Sequence, residues 1–243
     1  MTPGQPASRP APESTKGRIQ RALKLSQLFE RASRATREAA INAAEIEVVA
    51  GGGMIIQQGA PSDDLIVLGR GRARIERIAP DGRVVPLGYR GSGEVLGESC
   101  LGHLKTYDEN AIAMEETEVI RIPVSVVEDF VAADPAMGSP VLALLLARQR
   151  ETEDRIESLL FRNVEGRVVE FLLKAAERWG VPSPKGTLIS APITHLEIAQ
   201  SIGSTRETVT LTLGTLRRDG LLDVAGRRLI VKDRDALFAR YNP

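Results

Sequence analysis

The spacing of apolar residues changes character along the chain. Over residues 18–44, an Ala- and Arg-rich stretch, they recur at helical intervals, which predicts helix with Ile19, Ala22, Leu23, Leu28 and Phe29 on the buried side. Over residues 46–122, short runs rich in Val, Ile and Leu are interrupted by glycines at 51–53, 59, 69, 71, 82, 88, 91, 93 and 97. Short strands with turn signals at that spacing predict a compact β-sandwich or barrel. Between RARIERI and RVVPLGY, Pro80-Asp81-Gly82 predicts a hairpin turn, with proline presetting φ and glycine taking the positive-φ position. At Pro123 the texture turns helical again. Residues 124–132 read as a short helix. Asp134 can then cap a longer one that starts at Pro135 and runs to about Phe161.

Within that longer helix Leu142, Leu145, Leu146, Gln149, Thr152, Ile156, Leu159 and Leu160 recur at three- and four-residue spacing. The pattern is close to a heptad seam. Arg148, Arg150, Glu151, Asp154, Arg155 and Glu157 surround it. A polar helix with one apolar stripe must bury that stripe. The helix's own domain and a partner helix in a dimer are both open at this point. Gln149 and Thr152 in mid-seam suit a register-setting or pocket-facing role. Asn163-Val164 reads as a joint. A second helical set follows (Val168, Val169, Phe171, Leu172, Ala175, Ala176) and stops at Gly180, with Pro182 behind it. Residues 181–192 read as loop with a strand at 187–191.

The segment APITHLEIAQSIGSTRETVTLTLGTLRRDGLL carries the strongest local signal. Thr194 with Glu197 three residues on makes a capping box. Gly203 breaks that helix, and Ser204 or Thr205 caps the next, over residues 206–218, with Val209, Leu213 and Leu216 inward. Two short strands joined near Gly226-Arg227 come after it. Helix, tight turn, helix and β-hairpin make a winged helix-turn-helix. Its second helix would bring Thr205, Arg206, Glu207, Thr208 and Thr210 to a major groove, with Ser204 at the turn. Arginine can bond guanine O6 and N7 together, and glutamate can accept from cytosine N4. Threonine hydroxyls and the helix N-terminus suit phosphates. A plain solvated helix start is the competing reading of Arg206-Glu207.

Composition narrows the field. The chain has 243 residues, 42% hydrophobic and 26% charged, which suits one large or two modest folded domains. The one cysteine, Cys100, excludes a disulfide framework, a four-thiolate cluster and a cysteine-rich zinc site. Cys100 and His103 read as a small core thiol and a loop histidine rather than a haem pair, and no cofactor is called for. There is no nucleophile–base pair and no phosphate-binding loop, so an enzyme is not expected. A pure ligand-binding module would lack the recognition helix. Residues 1–16 hold four prolines and few bulky apolar residues, and read as a disordered tail rather than a docking peptide. No apolar run has signal-peptide or membrane length, so the expected location is cytoplasmic, without a membrane partner. Thirty-two basic and 32 acidic residues give zero net charge, which at first argues against nucleic acid. Divided by segment, residues 1–25 carry +4, 26–163 carry −7 and 164–243 carry +3. Arginine outnumbers lysine 26 to 6.

With these motifs in place, residues 20–240 resemble the Crp/Fnr family of bacterial transcription regulators. GEVLGE (residues 93–98) is similar to the family's β-roll signature, and IIQQGAPSDDLIVLGRGRARI to its strand–turn–strand pattern. NVEGRVVEFLL (163–173) resembles its hinge and following helix, and IGSTRETV (202–209) its recognition helix. The resemblance implies an α+β chain with an N-terminal cyclic-nucleotide-binding-type β-roll, a long dimerisation helix and a C-terminal winged helix-turn-helix. The expected divisions are a disordered tail at 1–17, a sensor domain at 18–133, a dimerisation helix and hinge at 134–163, and a DNA-binding domain at 164–243. It also implies a homodimer through residues 134–163 on a pseudo-palindromic site in duplex DNA, with RNA polymerase as a further partner. Arg206 and Glu207 would read bases; Thr194, His195, Thr205, Thr208 and Arg227 would hold phosphates.

The chain also departs from the family pattern. The cAMP-responsive members carry a second arginine four residues after the recognition-helix glutamate, where this chain has Leu211. Gly93 and Glu94 match their effector pocket. Their arginine–serine pair for the cyclic phosphate is replaced by Tyr107-Asp108, and their base-contacting Thr-Ser pair by Thr152-Glu153. A carboxylate at a phosphate position is repulsive. The expectation is a regulator that does not depend on cAMP; the alternative is a sensor of an unidentified β-roll ligand.

Overall fold

In the computed structural model, residues 13–102 and 104–241 are described. They form eight α-helices, twelve strands and three short 3₁₀ segments. Backbone contacts divide the chain into two compact units, residues 1–78 with 88–145, and residues 79–87 with 146–243.

In the first unit, α1 (Thr15–Leu25) and α2 (Arg34–Ala43) are capped by Ser14 and Ser33, whose hydroxyls accept from Gly17 and Thr36 amides. The continuous helical texture of residues 18–44 is therefore broken at 26–33. The expected tail at 1–17 is also too long: residues 15–17 form the first turn of α1, held by the Ser14 cap and by Arg18 and Arg21 pairing with Glu118. The rest of that tail, up to residue 12, lies outside the described residues. Ile19, Ala22, Leu23, Leu28 and Phe29 are all buried against β-strand side chains Leu65, Val67, Ile120 and Ile122.

The β-roll consists of two antiparallel four-stranded sheets. One is ordered β1 (Glu45–Val49), β8 (Thr117–Pro123), β3 (Asp64–Arg70), β6 (Val95–Leu96); the other β2 (Met54–Ile56), β7 (Asn110–Ala113), β4 (Ala73–Ile78), β5 (Val84–Arg90). Leu65, Ile66, Val67 and Leu68 of β3 are buried in succession, because this strand is covered on both faces. The Pro80-Asp81-Gly82 turn forms as expected, with the Ala79 amide donating to Arg83 O at 2.8 Å. The GEVLGE signature has a steric basis. Gly93 and Gly97 both take positive φ, and a Cβ on Gly93 would lie 2.7 Å from Leu25 O while one on Gly97 would lie 2.7 Å from Tyr107 Cε1.

Helix α3 (Val124–Ala133) covers the roll and ends at Asp134. The Asp134 carboxylate accepts from the Ser33 amide (2.8 Å), Thr36 Oγ1 (2.7 Å) and the Ala136 amide (3.1 Å). The Ser33 amide, followed by Thr36, holds its pKa down to about 2. A carboxyl with a lowered pKa stabilises the fold above its unfolded value of about 3.9, and that contribution disappears as pH falls through the folded value. Asp134→Ala should lower the urea midpoint at neutral pH. The gap from wild type should hold above about pH 4 and close toward about pH 2. A gap independent of pH would show that the carboxylate's charge is not responsible.

A 3₁₀ turn, Pro135–Met137, leads into α4 (Gly138–Phe161). Only Pro140 of α4 is buried. Val141 and Leu144 lean on the first unit's core. Leu142, Leu145, Leu146, Ile156, Leu159, Leu160 and Phe161 are all exposed, Phe161 to 81%. The contact boundary falls inside α4, between residues 145 and 146. Later in this helix, Arg155 bonds Pro86 O in the 79–87 hairpin, and Ser158 bonds Glu170.

In the second unit, Asn163 caps α5 (Val164–Trp179) through the Gly166 amide. Helices α6 (His195–Ile202) and α7 (Arg206–Arg218) follow, with α8 (Arg234–Tyr241) at the end. A four-stranded sheet is ordered β11 (Leu222–Ala225), β12 (Arg228–Val231), β10 (Gly186–Ile189), β9 (Gly180–Ser183). The strand expected at 187–191 is β10, shifted toward its start. β9 lies where the sequence reads as a helix stop and loop. It is an edge strand, which tolerates Pro182. Val168, Val169, Leu172, Ile198, Ile202, Val209, Leu213 and Leu216 share one core. Among the described residues no single helix is long and apolar enough to cross a membrane.

Candidate nucleic-acid interface

Helix α6 begins with the full capping box. The Thr194 hydroxyl accepts from the Glu197 amide, and the Glu197 carboxylate accepts from the Thr194 amide at 2.7 Å. It ends at Gly203 in the left-handed region (φ 63°, ψ 52°), with the Ser204 amide reaching back to Ala199 O at 2.9 Å. That turn separates the two helices by three residues, Gly203 to Thr205. Thr205, rather than Ser204, then caps α7: its Oγ1 accepts from the Thr208 amide (3.2 Å) and lies 2.9 Å from Thr208 Oγ1.

The inner face of α7 is fixed by Val209, Leu213 and Leu216, so its first turn points outward. Arg206 and Glu207 are exposed there, and among the described residues neither side chain forms an ion pair. Their charged groups are unspent. Thr210 Oγ1 donates to Arg206 O (2.8 Å) and lies 2.8 Å from His195 Nδ1. Since the hydroxyl has one proton, the ring Nδ1 is the donor in that pair. His195 and Thr210, both expected at DNA, are thus joined to each other and tie α6 to α7. In a neutral ring this leaves Nε2 as an acceptor, so donation from Nε2 to a phosphate requires the protonated form. Arg227 sits with Gly226 in the two-residue loop between β11 and β12, exposed beside Arg228.

The side chains matched to an effector pocket have partners within their own units. The Glu94 carboxylate accepts from the Gly91 amide at 2.7 Å. Tyr107 is buried, and its hydroxyl donates to Asp64 O at 2.7 Å. Burial pushes this phenol's pKa up, so it stays a neutral donor. Asp108 is exposed and paired with Arg77, whose Nε also donates to Asp108 O (2.8 Å). Thr152 Oγ1 donates to Arg148 O, and Glu153 accepts from Gln149; both lie in the portion of α4 assigned to the second unit. Cys100 is buried in the first unit's core, and burial, followed by Glu98 and Glu128, pushes its thiol up to about 12. His103 lies outside the described residues.

The Crp-like helix-turn-helix domain family matches residues 166–240, and the cyclic nucleotide-binding domain family matches residues 46–134. The global nitrogen regulator of Synechocystis sp. (strain ATCC 27184 / PCC 6803 / Kazusa) is 30% identical over 185 residues, which cover 75% of this chain and 82% of that protein. The chain belongs to the Crp/Fnr family of transcription regulators. A CRP-like cAMP-activated global transcriptional regulator of Mycobacterium tuberculosis (strain CDC 1551 / Oshkosh) is 28% identical over 189 residues, covering 78% of this chain and 84% of its own. A CRP-family transcriptional regulator from Thermus thermophilus superposes with a TM-score of 0.70 at 27% identity, over 81% of this chain and 97% of that one. FixK2 from Bradyrhizobium japonicum shares the fold, with a TM-score of 0.72 at 23% identity, over 81% of this chain and 96% of that one. As a Crp/Fnr regulator the chain is a DNA-binding transcription factor of a family that is not enzymatic, and the α+β architecture read from the sequence is the one observed.

Proposed function

We propose that this regulator acts as a homodimer that reads a pseudo-palindromic DNA site without requiring cAMP. The observation that carries the reading is the first turn of α7. It presents Arg206 and Glu207 to solvent behind a left-handed glycine turn, with Thr205 capping the helix. Arg206 is the guanine reader and Glu207 the cytosine reader. Thr194, Ser204, Thr205, Thr208, Thr210 and Arg227 flank them as phosphate contacts, and His195 joins them when protonated. The division of labour is a β-roll over 18–133, a dimerisation helix over 134–163 and a DNA-reading domain over 164–243, in a cytoplasmic protein that meets RNA polymerase on the DNA.

The dimer reading draws on α4. Seven large apolar residues stand exposed along one 24-residue helix, an arrangement that a single chain leaves without burial. A second copy of the same helix, packed in parallel across a two-fold axis, supplies the missing face.

Independence from cAMP rests on Tyr107 and Asp108. The first is turned onto Asp64 in the roll and the second is neutralised by Arg77, so neither supplies the cation that a cyclic phosphate needs. Calorimetry with cAMP at about millimolar concentration should give no heat, and cAMP should leave operator affinity unchanged. Binding heat accompanied by tighter operator binding would overturn this part of the reading.

A further inference from the structure

One large apolar side chain of α7 stands outside the core of the domain that carries it. Leu211 is 73% exposed. With Val209, Leu213 and Leu216 inward, 3.6 residues per turn place Leu211 on the opposite side, one turn beyond Glu207 and in line with Gly214 and Arg218. A Cβ built on Gly214 would meet nothing within 4 Å, so the surface next to Leu211 is open. An isolated exposed leucine is ordinary. This one stands on the same outward stripe as a base-reading candidate.

We propose that Leu211 is a specificity-determining residue that selects a 5-methylpyrimidine, which is thymine in unmodified DNA, beside the cytosine assigned to Glu207. The proposal rests on the DNA reading above. Of the four bases, only thymine presents an apolar group in the major groove, its C5 methyl. Leucine offers neither donor nor acceptor. Pressed against guanine O6/N7 or cytosine N4, it would strip water from those groups and return no hydrogen bond. It therefore favours thymine and disfavours the alternatives at once. Leu211 lies about 6 Å along the helix axis from Glu207, less than two base-pair steps of about 3.4 Å. The selected thymine should fall within two positions of the Glu207 cytosine.

The test is selection of bound duplexes from a random library with the full chain, followed by replacement of each consensus thymine by deoxyuridine, which lacks only the methyl. One replacement near the Glu207 cytosine should weaken binding about fourfold per half-site, the value of one buried methyl-sized group. Leu211→Ala should bind the thymine and deoxyuridine duplexes equally. Leu211→Arg should enrich guanine at that position. If a consensus is selected but no deoxyuridine replacement weakens binding, Leu211 does not read a methyl. The same holds if Leu211→Ala weakens every duplex uniformly or changes the oligomeric state, as it would if Leu211 faced a protein partner. If wild type selects no consensus at all, the DNA reading itself fails and takes this inference with it.

Discussion

Arg206→Ala should reduce the preference for operator over scrambled duplex by about 1–3 kcal/mol per half-site, or roughly five- to 150-fold. Arg206 sits at the first position of α7, exposed, its guanidinium engaged in no ion pair among the described residues. Nothing in the domain has to be broken before it meets a base, and nothing in the domain is lost when it is removed. The thermal midpoint should therefore stay close to wild type. Affinity for scrambled duplex should fall little, because one cation among several phosphate neighbours contributes about one unit of salt slope. Fluorescence anisotropy against both duplexes at two salt concentrations separates these effects. Equal discrimination by wild type and variant would show that Arg206 is a solvated helix start.

The second large effect concerns α4. Leu146→Glu combined with Ile156→Glu should give a folded monomer that has lost at least about 100-fold in operator affinity. Both side chains are about half exposed in the single chain, Leu146 to 45% and Ile156 to 53%, and neither belongs to the buried core, so the exchange removes little internal packing. In a paired seam, the same exchange places like charges across an apolar interface. Joining two readers makes the second contact intramolecular, which is worth about 10²–10⁴ in affinity. Sedimentation equilibrium reports the mass, and circular dichroism the fold. A variant that remains dimeric would locate the interface elsewhere. A monomer that keeps full affinity would remove the need for a dimer.

The parts of this chain legible in its sequence are those fixed by neighbouring residues. Thr194 and Glu197 cap each other, Gly203 alone supplies the left-handed turn, and Pro80-Asp81-Gly82 closes its own hairpin. Each is local chemistry that no distant contact needs to decide. The misread places depend on contacts far along the chain. The break between α1 and α2 is hard to see in an Ala/Arg-rich stretch, because it is held by Asp134, about a hundred residues away, bonding Ser33 and Thr36. β9 is hidden by Pro182, which an edge strand accepts only because β10 lies on its other side. Of the candidate site, residue identities are readable in the sequence but their mutual bonds are not. The sequence points His195 and Thr210 separately at DNA, and the structure adds that they hold one another.

The neutral net charge takes its meaning from this arrangement. An acidic middle, −7 over residues 26–163, offsets +4 over residues 1–25 and +3 over the DNA-reading residues 164–243. On the proposed reading, non-specific attraction to DNA is modest and specificity rests on a few side chains at α7. The most direct test is selection of duplexes from a random pool by the purified full-length protein, followed by footprinting of the selected site. The expected result is a two-fold-related consensus whose half-sites carry guanine and cytosine contacts and lie one helical turn, about 10–10.5 base pairs, apart. A single unpaired half-site, or protection that does not depend on sequence, would contradict it.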